Sequence, residues 1–287
     1  MLTGEFLRTI RQDIFNVLLE LKKRRKVYTS IYELAADIYE IYHTSHSSNA
    51  DQDLLFLRRM LTLTYNEINA IPQFFTDGID EADWVQFHSW NLDNPDHDRL
   101  CDLCSVRFYL NLKYEYMRVA LKGLLIRFLR ARLDKPIMFK FYSPNINDLA
   151  KANMADKVVF YVHPDLVDFF SDAIKKLSED YFYPMKPMFT KEVRPGVGIA
   201  FETKKSFAFL DFVSRITQGD IDRFSYGTYM AFILSRAFVL LLAKDGTGNV
   251  KNICFSNFDE NYLNKLVPRT MSLISKRMRE DLEMDLE

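Results

Sequence analysis

The sequence predicts an α+β protein. Apolar residues recur at helical spacing through much of the first hundred positions, and after about residue 100 they alternate with polar residues in short segments separated by further helices. We therefore expect a helical N-terminal region at 1–100, a small, mainly antiparallel sheet flanked by helices at 101–267, and a charged C-terminal helix or tail at 268–287.

The N-terminal region begins with an amphipathic helix. From Glu5 to Lys26 apolar side chains return every three or four residues, and the run ends in the basic segment KKRRK, which complements the helix dipole. The same periodicity predicts helices at 31–42 and 53–71. The stretch 74–100 carries Asp-Gly and Asn-Pro turn signals, so we expect it to be rich in loops and to end at a domain boundary near residue 100.

Three segments after residue 100 have the period of a strand. VRFYLNLK at 106–113, PIMFKFYSP at 136–144 and DKVVFYVH at 156–163 each carry an apolar core. Helices are predicted between and after them, at 117–133 and 164–177. The alternation predicts that Arg107, Lys113 and Lys140 lie on one face of the sheet.

The segment PMFTKEVRPGVGIAF at 187–201 combines two cations with two glycines. Gly196 and Gly198 tolerate positive φ and permit close approach of another chain or a ligand. Lys191 and Arg194 beside that backbone are candidates to anchor an anionic group. A tight turn with solvated charges is the alternative interpretation. An apolar helix at 226–243 follows.

Composition excludes several classes of function. Lys+Arg 38 against Asp+Glu 39 leaves a net charge of -1, which predicts neither nucleic-acid nor membrane binding. We expect no secretory signal and no membrane span, and three cysteines do not form a closed disulfide set, so a reducing cytoplasmic location is expected. A lone CDLC at 101–104 does not predict a metal site, and the phosphate-loop and dinucleotide motifs are absent, so no cofactor is expected.

Several blocks occur in an order that resembles a known family. They are RFYLNLKYEYMRVALKGLL, PIMFKFYSP, ADKVVFYV, PMFTKEVRPGVGIAF, SYGTYM and FDENYLNKL, between about residues 105 and 265. This order is similar to that of the HopA-type effector family, which includes a type III secretion effector of plant-pathogenic bacteria and stand-alone proteins encoded beside ribosomal-peptide modification enzymes. The most specific piece is FTKEVRPGVGIA.

The resemblance implies an α+β domain and, for some members, a lyase. Such a lyase removes phosphate from phosphoserine or phosphothreonine by β-elimination and leaves dehydroalanine or dehydrobutyrine. The partners implied are a phosphorylated precursor peptide or protein and a kinase-like enzyme that installs the phosphate.

Residue type and placement suggest roles for this chemistry. Lys140 is the candidate base, because a lysine neutralised by burial and nearby cations can take the Cα proton; a lysine exposed on the open sheet face is the alternative. Tyr161, Tyr109 or His163 can donate a proton, although His163 is equally well placed as a cap. The phosphate-binding candidates are cations on the strands: Arg107, Lys113, Lys191 and Arg194.

The chain also departs from the family pattern. Its SYG block at 225–227 follows a long segment, and Met230 stands where family members carry an arginine three residues after the glycine. Arg215 or Arg223 from the long segment is a possible replacement. Two hypotheses remain: a phosphopeptide lyase of the cytoplasm, or a non-catalytic effector, secreted into a host cell, that uses the same fold to bind a protein partner.

Overall fold

A computed structural model describes residues 4–43, 53–76, 83–90, 100–152, 154–201, 226–245 and 252–282. The helices are α1 (Gly4–Arg24), α2 (Ile31–His43), α3 (Leu54–Asn69), α4 (Leu100–Leu103), α5 (Tyr114–Ala131), α6 (Leu149–Ala152), α7 (Val167–Lys175), α8 (Tyr226–Lys244) and α9 (Glu260–Leu282). The strands are β1 (Val27–Tyr28), β2 (Phe75–Thr76), β3 (Trp84–His88), β4 (Val106–Leu110), β5 (Ile137–Tyr142), β6 (Val158–Val162), β7 (Lys191–Arg194), β8 (Val197–Phe201) and β9 (Ile253–Cys254).

The chain divides into two compact units whose limits differ from the predicted domain boundaries. Unit 1 combines Met1–His43 with Glu202–Glu287, and unit 2 is Thr44–Phe201. The predicted boundary near residue 100 lies inside unit 2, because β3 is hydrogen-bonded along its length to β5 in the same sheet. The turn signals before residue 100 therefore mark loops within a unit.

Unit 1 is built from helices α1, α2, α8 and α9, with β1 and β9 paired as a short antiparallel ribbon. In α1 the apolar positions of the predicted stripe, such as Ile14, Val17 and Leu21, are buried. The basic end of α1 is held by an acidic residue, since Arg24 Nη1 and Lys26 Nζ lie 3.2 and 3.0 Å from the carboxylate of Asp37. These ion pairs fix the turn between α1 and α2.

Helix α8 is apolar on all sides. By length and composition it qualifies as a membrane span, but 78% of its most apolar window is buried inside the protein. Burial of this extent is typical of a core helix.

Unit 2 contains an antiparallel sheet in the order β2-β3-β5-β6-β4-β8-β7. The predicted α+β fold with a mainly antiparallel sheet is confirmed. Two strands come from the stretch that we expected to be loops. In β3, Val85 and Phe87 are both buried in the core, two residues apart. This alternation covers only five residues, and the surrounding acidic and turn residues obscure it in the sequence.

The hydrophobic core of unit 2 lies on one face of this sheet, where α3, α5 and α7 pack. Its aromatic rings form a continuous chain: Phe87 stacks on Phe139, Phe139 on Phe160, and Phe160 packs against Phe170 of α7. Because strand side chains alternate between faces, the other face receives the residues between these rings. That second face carries most of the polar side chains of β4, β5 and β6.

Candidate functional site

The second face of the sheet, called the polar face below, brings together residues that the sequence scatters. It is defined by Arg107, Tyr109, Asn111, Met138, Lys140, Lys157, Val159 and Tyr161. Val159 lies at its centre: Lys140 of β5 and Tyr109 of β4 are its two cross-strand partners. Tyr161 and Lys157 share its face two residues away along the chain in each direction.

Three of the predicted site residues meet here. Arg107 lies directly opposite Tyr161, next to the pair formed by Tyr109 and Val159. Neighbouring strands are about 4.8 Å apart and residues two apart along a strand about 6.7 Å, so the Cα atoms of Arg107 and Lys140 are roughly 12 Å apart. Val159 between them is buried, and Lys140 Nζ lies over the ring of Trp84 in β3, the strand on the side of β5 away from β4.

Arg107 and Tyr109 form the more buried side of the site. The Arg107 guanidinium carbon lies 4.8 Å from the centre of the Tyr161 ring. Burial raises the pKa of Tyr109 to about 12, although the charge of Arg107 and its hydrogen bond to the hydroxyl act in the opposite direction. Tyr109 is therefore a protonated hydroxyl at neutral pH, beside a guanidinium.

Lys140 is half-buried and lies against an aromatic ring. Its Nζ is 4.3 Å from the centre of the Trp84 ring, which itself stacks on Tyr142 with ring centres 4.1 Å apart. A cation over an indole face is an attractive contact made through the positive charge. This environment suits a lysine that binds an anion as an ammonium.

Lys157 is the most deeply buried cation of the polar face, with 1% of its surface exposed. Its Nζ donates a hydrogen bond to Asn111 Oδ1 and lies 4.5 Å from the centre of the Tyr183 ring. Burial lowers the pKa of Lys157 to about 7, against the influence of the nearby carboxylates of Asp156 and Glu115. A lysine with a pKa near neutrality is available as a neutral amine.

Arg194 and Lys191 lie away from the polar face, contrary to the prediction that they join a phosphate clamp with Arg107. They pair with Val197 and Ile199, which belong to the core face. The guanidinium of Arg194 donates to the carbonyls of Ile174, Lys175 and Leu177 and so caps the C-terminal end of α7. Lys191 is exposed on the edge strand β7.

Lys113 and His163 both lie just outside the strands of the sheet. Lys113 lies past the end of β4, as the N-cap residue of α5, and its Nζ is 5.9 Å from the centre of the Tyr183 ring, which also lies over Lys157 Nζ. His163 Nδ1 accepts a hydrogen bond of 3.2 Å from the Asp165 backbone and caps the 3₁₀ turn after β6. The capping alternative for His163 therefore describes its position.

The two glycines of the 187–201 segment permit close approach of the chain to itself. Gly196 has φ +79 in the β7–β8 turn, and a Cβ there would lie 2.1 Å from the Tyr183 carbonyl oxygen. A Cβ on Gly198 would lie 2.1 Å from the hydroxyl oxygen of Thr190. The tight-turn interpretation fits this segment.

The remaining residues named from the sequence are Met230 in α8 and three that lie outside the described residues. Met230 is fully buried in α8, a position that suits an apolar side chain. Ser225, Arg215 and Arg223 lie outside the residues that the structure describes. Within the described ranges no group of three or more His, Cys, Asp or Glu side chains could hold a metal ion.

Comparison with solved structures gives similarity in fold. The chain matches the effector protein from Pseudomonas syringae pv. syringae strain 61 with a TM-score of 0.53 and 12% identity, over 88% of this chain and 98% of that one. It also matches the effector protein from Pseudomonas syringae pv. tomato strain DC3000 with a TM-score of 0.43 and 14% identity, over 85% and 97% of the two chains. No protein-family model and no curated protein matches the sequence. The first of these structures shows that the chain shares the fold of that effector protein.

From its sequence position Lys157 is one of several strand cations that could serve an anionic ligand, and it is not singled out among them. The signal was present in DKVVFYVH, because Lys157, Val159 and Tyr161 share one strand face. What the sequence did not indicate is that Lys157 is buried against Asn111 and Tyr183.

Proposed function

We propose that this protein binds a phosphorylated peptide or protein on the polar face and removes the phosphate from phosphoserine or phosphothreonine by β-elimination. The observation that carries the proposal is that Arg107, Lys140 and Tyr161 share one face of the sheet, with the Arg107 guanidinium against the Tyr161 ring. The effector-type fold and the ordered sequence blocks that resemble the HopA-type family support it.

The reaction makes three demands on the protein. A base removes the Cα proton, the released electron pair forms the Cα–Cβ double bond, and the bond from Cβ to the phosphate oxygen breaks with its electrons leaving on phosphate. Cations must neutralise the departing phosphate, and a proton donor assists it. Arg107 and Lys140 supply the positive charge in this proposal, and the hydroxyl of Tyr161 the proton.

The contact with Trp84 favours phosphate binding over proton abstraction for Lys140. An ammonium held over an indole gains from its charge, whereas a base must be neutral before it acts. The role proposed for Lys140 therefore changes from base to phosphate ligand. Lys140→Arg, which keeps the charge, should then retain elimination.

The proposal implies a partner enzyme and a location. A kinase-like enzyme would install the phosphate that this protein removes, and both would act in the cytoplasm, either of the bacterium or of a host cell into which an effector is delivered. Neighbouring genes for a kinase and for a small peptide rich in Ser, Thr and Cys would support the first location, and a gene for a secretion chaperone the second.

The alternative function is phosphopeptide or protein binding without catalysis. One observation favours it: the cation set on the polar face is smaller than predicted, because Arg194 caps α7 and Lys191 lies at the sheet edge. In that case the polar face recognises an anionic group of a partner and releases it unchanged.

The test is incubation of the purified full chain with phosphothreonine peptides and their unphosphorylated counterparts, with loss of phosphoric acid followed by mass spectrometry. We expect elimination from the phosphorylated peptides alone. Arg107→Met should weaken phosphopeptide affinity by about tenfold or more, the effect of losing one charge-assisted contact. Lys175→Met removes an exposed lysine of α7 as a matched control and should bind and react as wild type does.

Two results would oppose the proposal. Binding without elimination would favour the interaction protein. Equal affinity for phosphorylated and unphosphorylated peptides would remove the polar face as a phosphate site.

A further inference from the structure

A cationic groove lies between helices α5 and α7, on the side of the sheet opposite the polar face. The two helices border a cavity of about 490 Å³, a volume within the range of small-ligand sites. Its lining residues are Arg127 and Arg130 of α5, Phe169, Asp172 and Ala173 of α7, and Lys176 directly after α7. No residue of the polar face lines it.

Helical spacing brings these side chains to one surface. Arg127 and Arg130 are three residues apart on α5, so they share a face of that helix. Phe169, Asp172 and Lys176 follow one another at intervals of three and four residues and share a face of α7 and its C-cap. Arg130, Asp172 and Lys176 are exposed. A ligand can therefore enter the groove from solvent without movement of the backbone.

The cations of the groove have no carboxylate within ion-pair distance among the residues that the structure describes. The cations nearer the start of α5 differ, because Arg118 and Lys122 both pair with Glu67 of α3. Three cations against the single carboxylate of Asp172 give the lining of the groove a net charge of +2. An anionic ligand would neutralise this charge.

The guanidinium of Arg127 is held in place within the groove. Arg127 is half-buried, and its Nη1 donates a hydrogen bond of 3.1 Å to the Ala173 carbonyl near the C-terminal end of α7. A guanidinium has five N–H donors, and this is the one hydrogen bond that Arg127 makes within the described ranges. A half-buried guanidinium that is anchored at one nitrogen and lacks a carboxylate is a preorganised donor for an anion.

Phe169 adds an apolar wall to the groove. Its ring is partly buried and packs edge-on against Phe170, with ring centres 5.6 Å apart. A phosphate monoester carries about 1.5 to 2 negative charges at neutral pH, close to the opposite of the charge of the groove. An apolar substituent on that phosphate would meet the Phe169 ring.

We propose that the groove between α5 and α7 binds a phosphate monoester, with Arg127, Arg130 and Lys176 on the phosphate and Phe169 against an aromatic or other apolar substituent. This site is separate from the polar face, and its existence does not depend on the proposed lyase function.

Calorimetric titration of the purified full chain with phenyl phosphate and with inorganic phosphate tests the site. We expect saturable binding of phenyl phosphate, roughly threefold to tenfold tighter than that of inorganic phosphate because of the ring contact. Arg130→Met and Lys176→Met should each weaken phenyl phosphate binding by about tenfold. Arg118→Met and Lys175→Met remove exposed cations of the same two helices as matched controls and should bind as wild type does.

The carboxylate of the groove supplies a test of the opposite sign. Asp172→Asn should bind phenyl phosphate about threefold more tightly, because the negative charge that repels the ligand is gone. A substitution that merely disturbed the fold would weaken binding. Addition of salt should reduce both the affinity of wild type and the advantage of Asp172→Asn, since exposed charges are screened.

The outcomes separate the groove from the polar face. Weaker binding by Arg130→Met and Lys176→Met, together with tighter binding by Asp172→Asn, supports the inference. A phosphotyrosine peptide that binds more tightly than phenyl phosphate, and loses affinity in Lys176→Met, would identify a phosphoprotein as the source of the phosphate; equal affinity would identify a small molecule.

Three results would overturn the inference. They are absence of phenyl phosphate binding, wild-type affinity in Arg130→Met, and binding that is lost in Arg107→Met but kept in Lys176→Met. Elimination from phosphothreonine peptides is measured separately and tests the proposed function. Each proposal can therefore fail without the other.

Discussion

The burial of Lys157 predicts how the free energy of unfolding depends on pH, whatever the protein's function. Its pKa is about 7 in the folded protein, because of burial, and about 10.5 when the chain is unfolded. Between these values the unfolded chain holds a proton that the folded protein does not, so unfolding takes up a proton and the free energy of unfolding rises with pH. Below about pH 7 both states carry the proton, and this contribution is flat.

The magnitude follows from the slope. One proton corresponds to about 1.4 kcal/mol per pH unit, and the lysine is already half deprotonated at pH 7. Wild type should therefore gain roughly 2 kcal/mol between pH 7 and pH 9 relative to Lys157→Met, which has no proton to take up. Other titrating groups are shared by the two proteins and largely cancel in the difference. The comparison therefore isolates the buried amine.

Urea denaturation followed by tryptophan fluorescence suits the measurement. The chain has two tryptophans, Trp84 and Trp90, and both belong to unit 2, as Lys157 does. Lys175→Met, at an exposed site in the same unit, should keep the wild-type pH dependence. If the difference between wild type and Lys157→Met is the same at pH 7 and pH 9, Lys157 titrates as an exposed lysine, and the argument from its burial is wrong.

Three further predictions concern residues of local structure. Arg194→Ala should lower the free energy of unfolding of unit 2 by roughly 2–4 kcal/mol, because the hydrogen bonds from Arg194 to the carbonyls at the end of α7 are lost. Phosphopeptide affinity should stay unchanged. A loss of affinity in a folded variant would show that Arg194 belongs to the phosphate site. Gly198→Ala should cost about 1–3 kcal/mol because its Cβ would collide with Thr190, whereas Gly123→Ala, with nothing within 4 Å, should gain about 0.5–1 kcal/mol in the same urea titration. Hydrogen bonds from the Arg269 side chain lower the pKa of Asp245 to about 2, so Asp245→Asn should reduce the melting temperature at neutral pH. The difference from wild type should vanish as pH falls from about 4 toward 2. An equal difference at neutral pH and at about pH 2, measured by circular dichroism, would contradict this.

The sequence by itself determined the fold class and much of the sheet. Alternation in β4, β5 and β6 buries Phe108, Phe139 and Phe160 on one face. The same period predicts that Arg107 and Lys140 share the other face, together with Lys113, which lies just past the end of β4. Helical spacing likewise located α1 and α2. These properties are local, because a side chain's face follows from its position within its own strand or helix.

Only the tertiary structure decided which cations act together. Arg194 has the residue type of a phosphate ligand, but the strand order puts it beside the end of α7, where three carbonyls accept its hydrogen bonds. In sequence Lys157 resembles the other strand lysines. It differs from them because Asn111 and Tyr183, which are distant in sequence, contact its ammonium group in the folded protein. The ionisation of a side chain depends on the solvent and charges around it, and those are set by contacts between segments that no local period encodes.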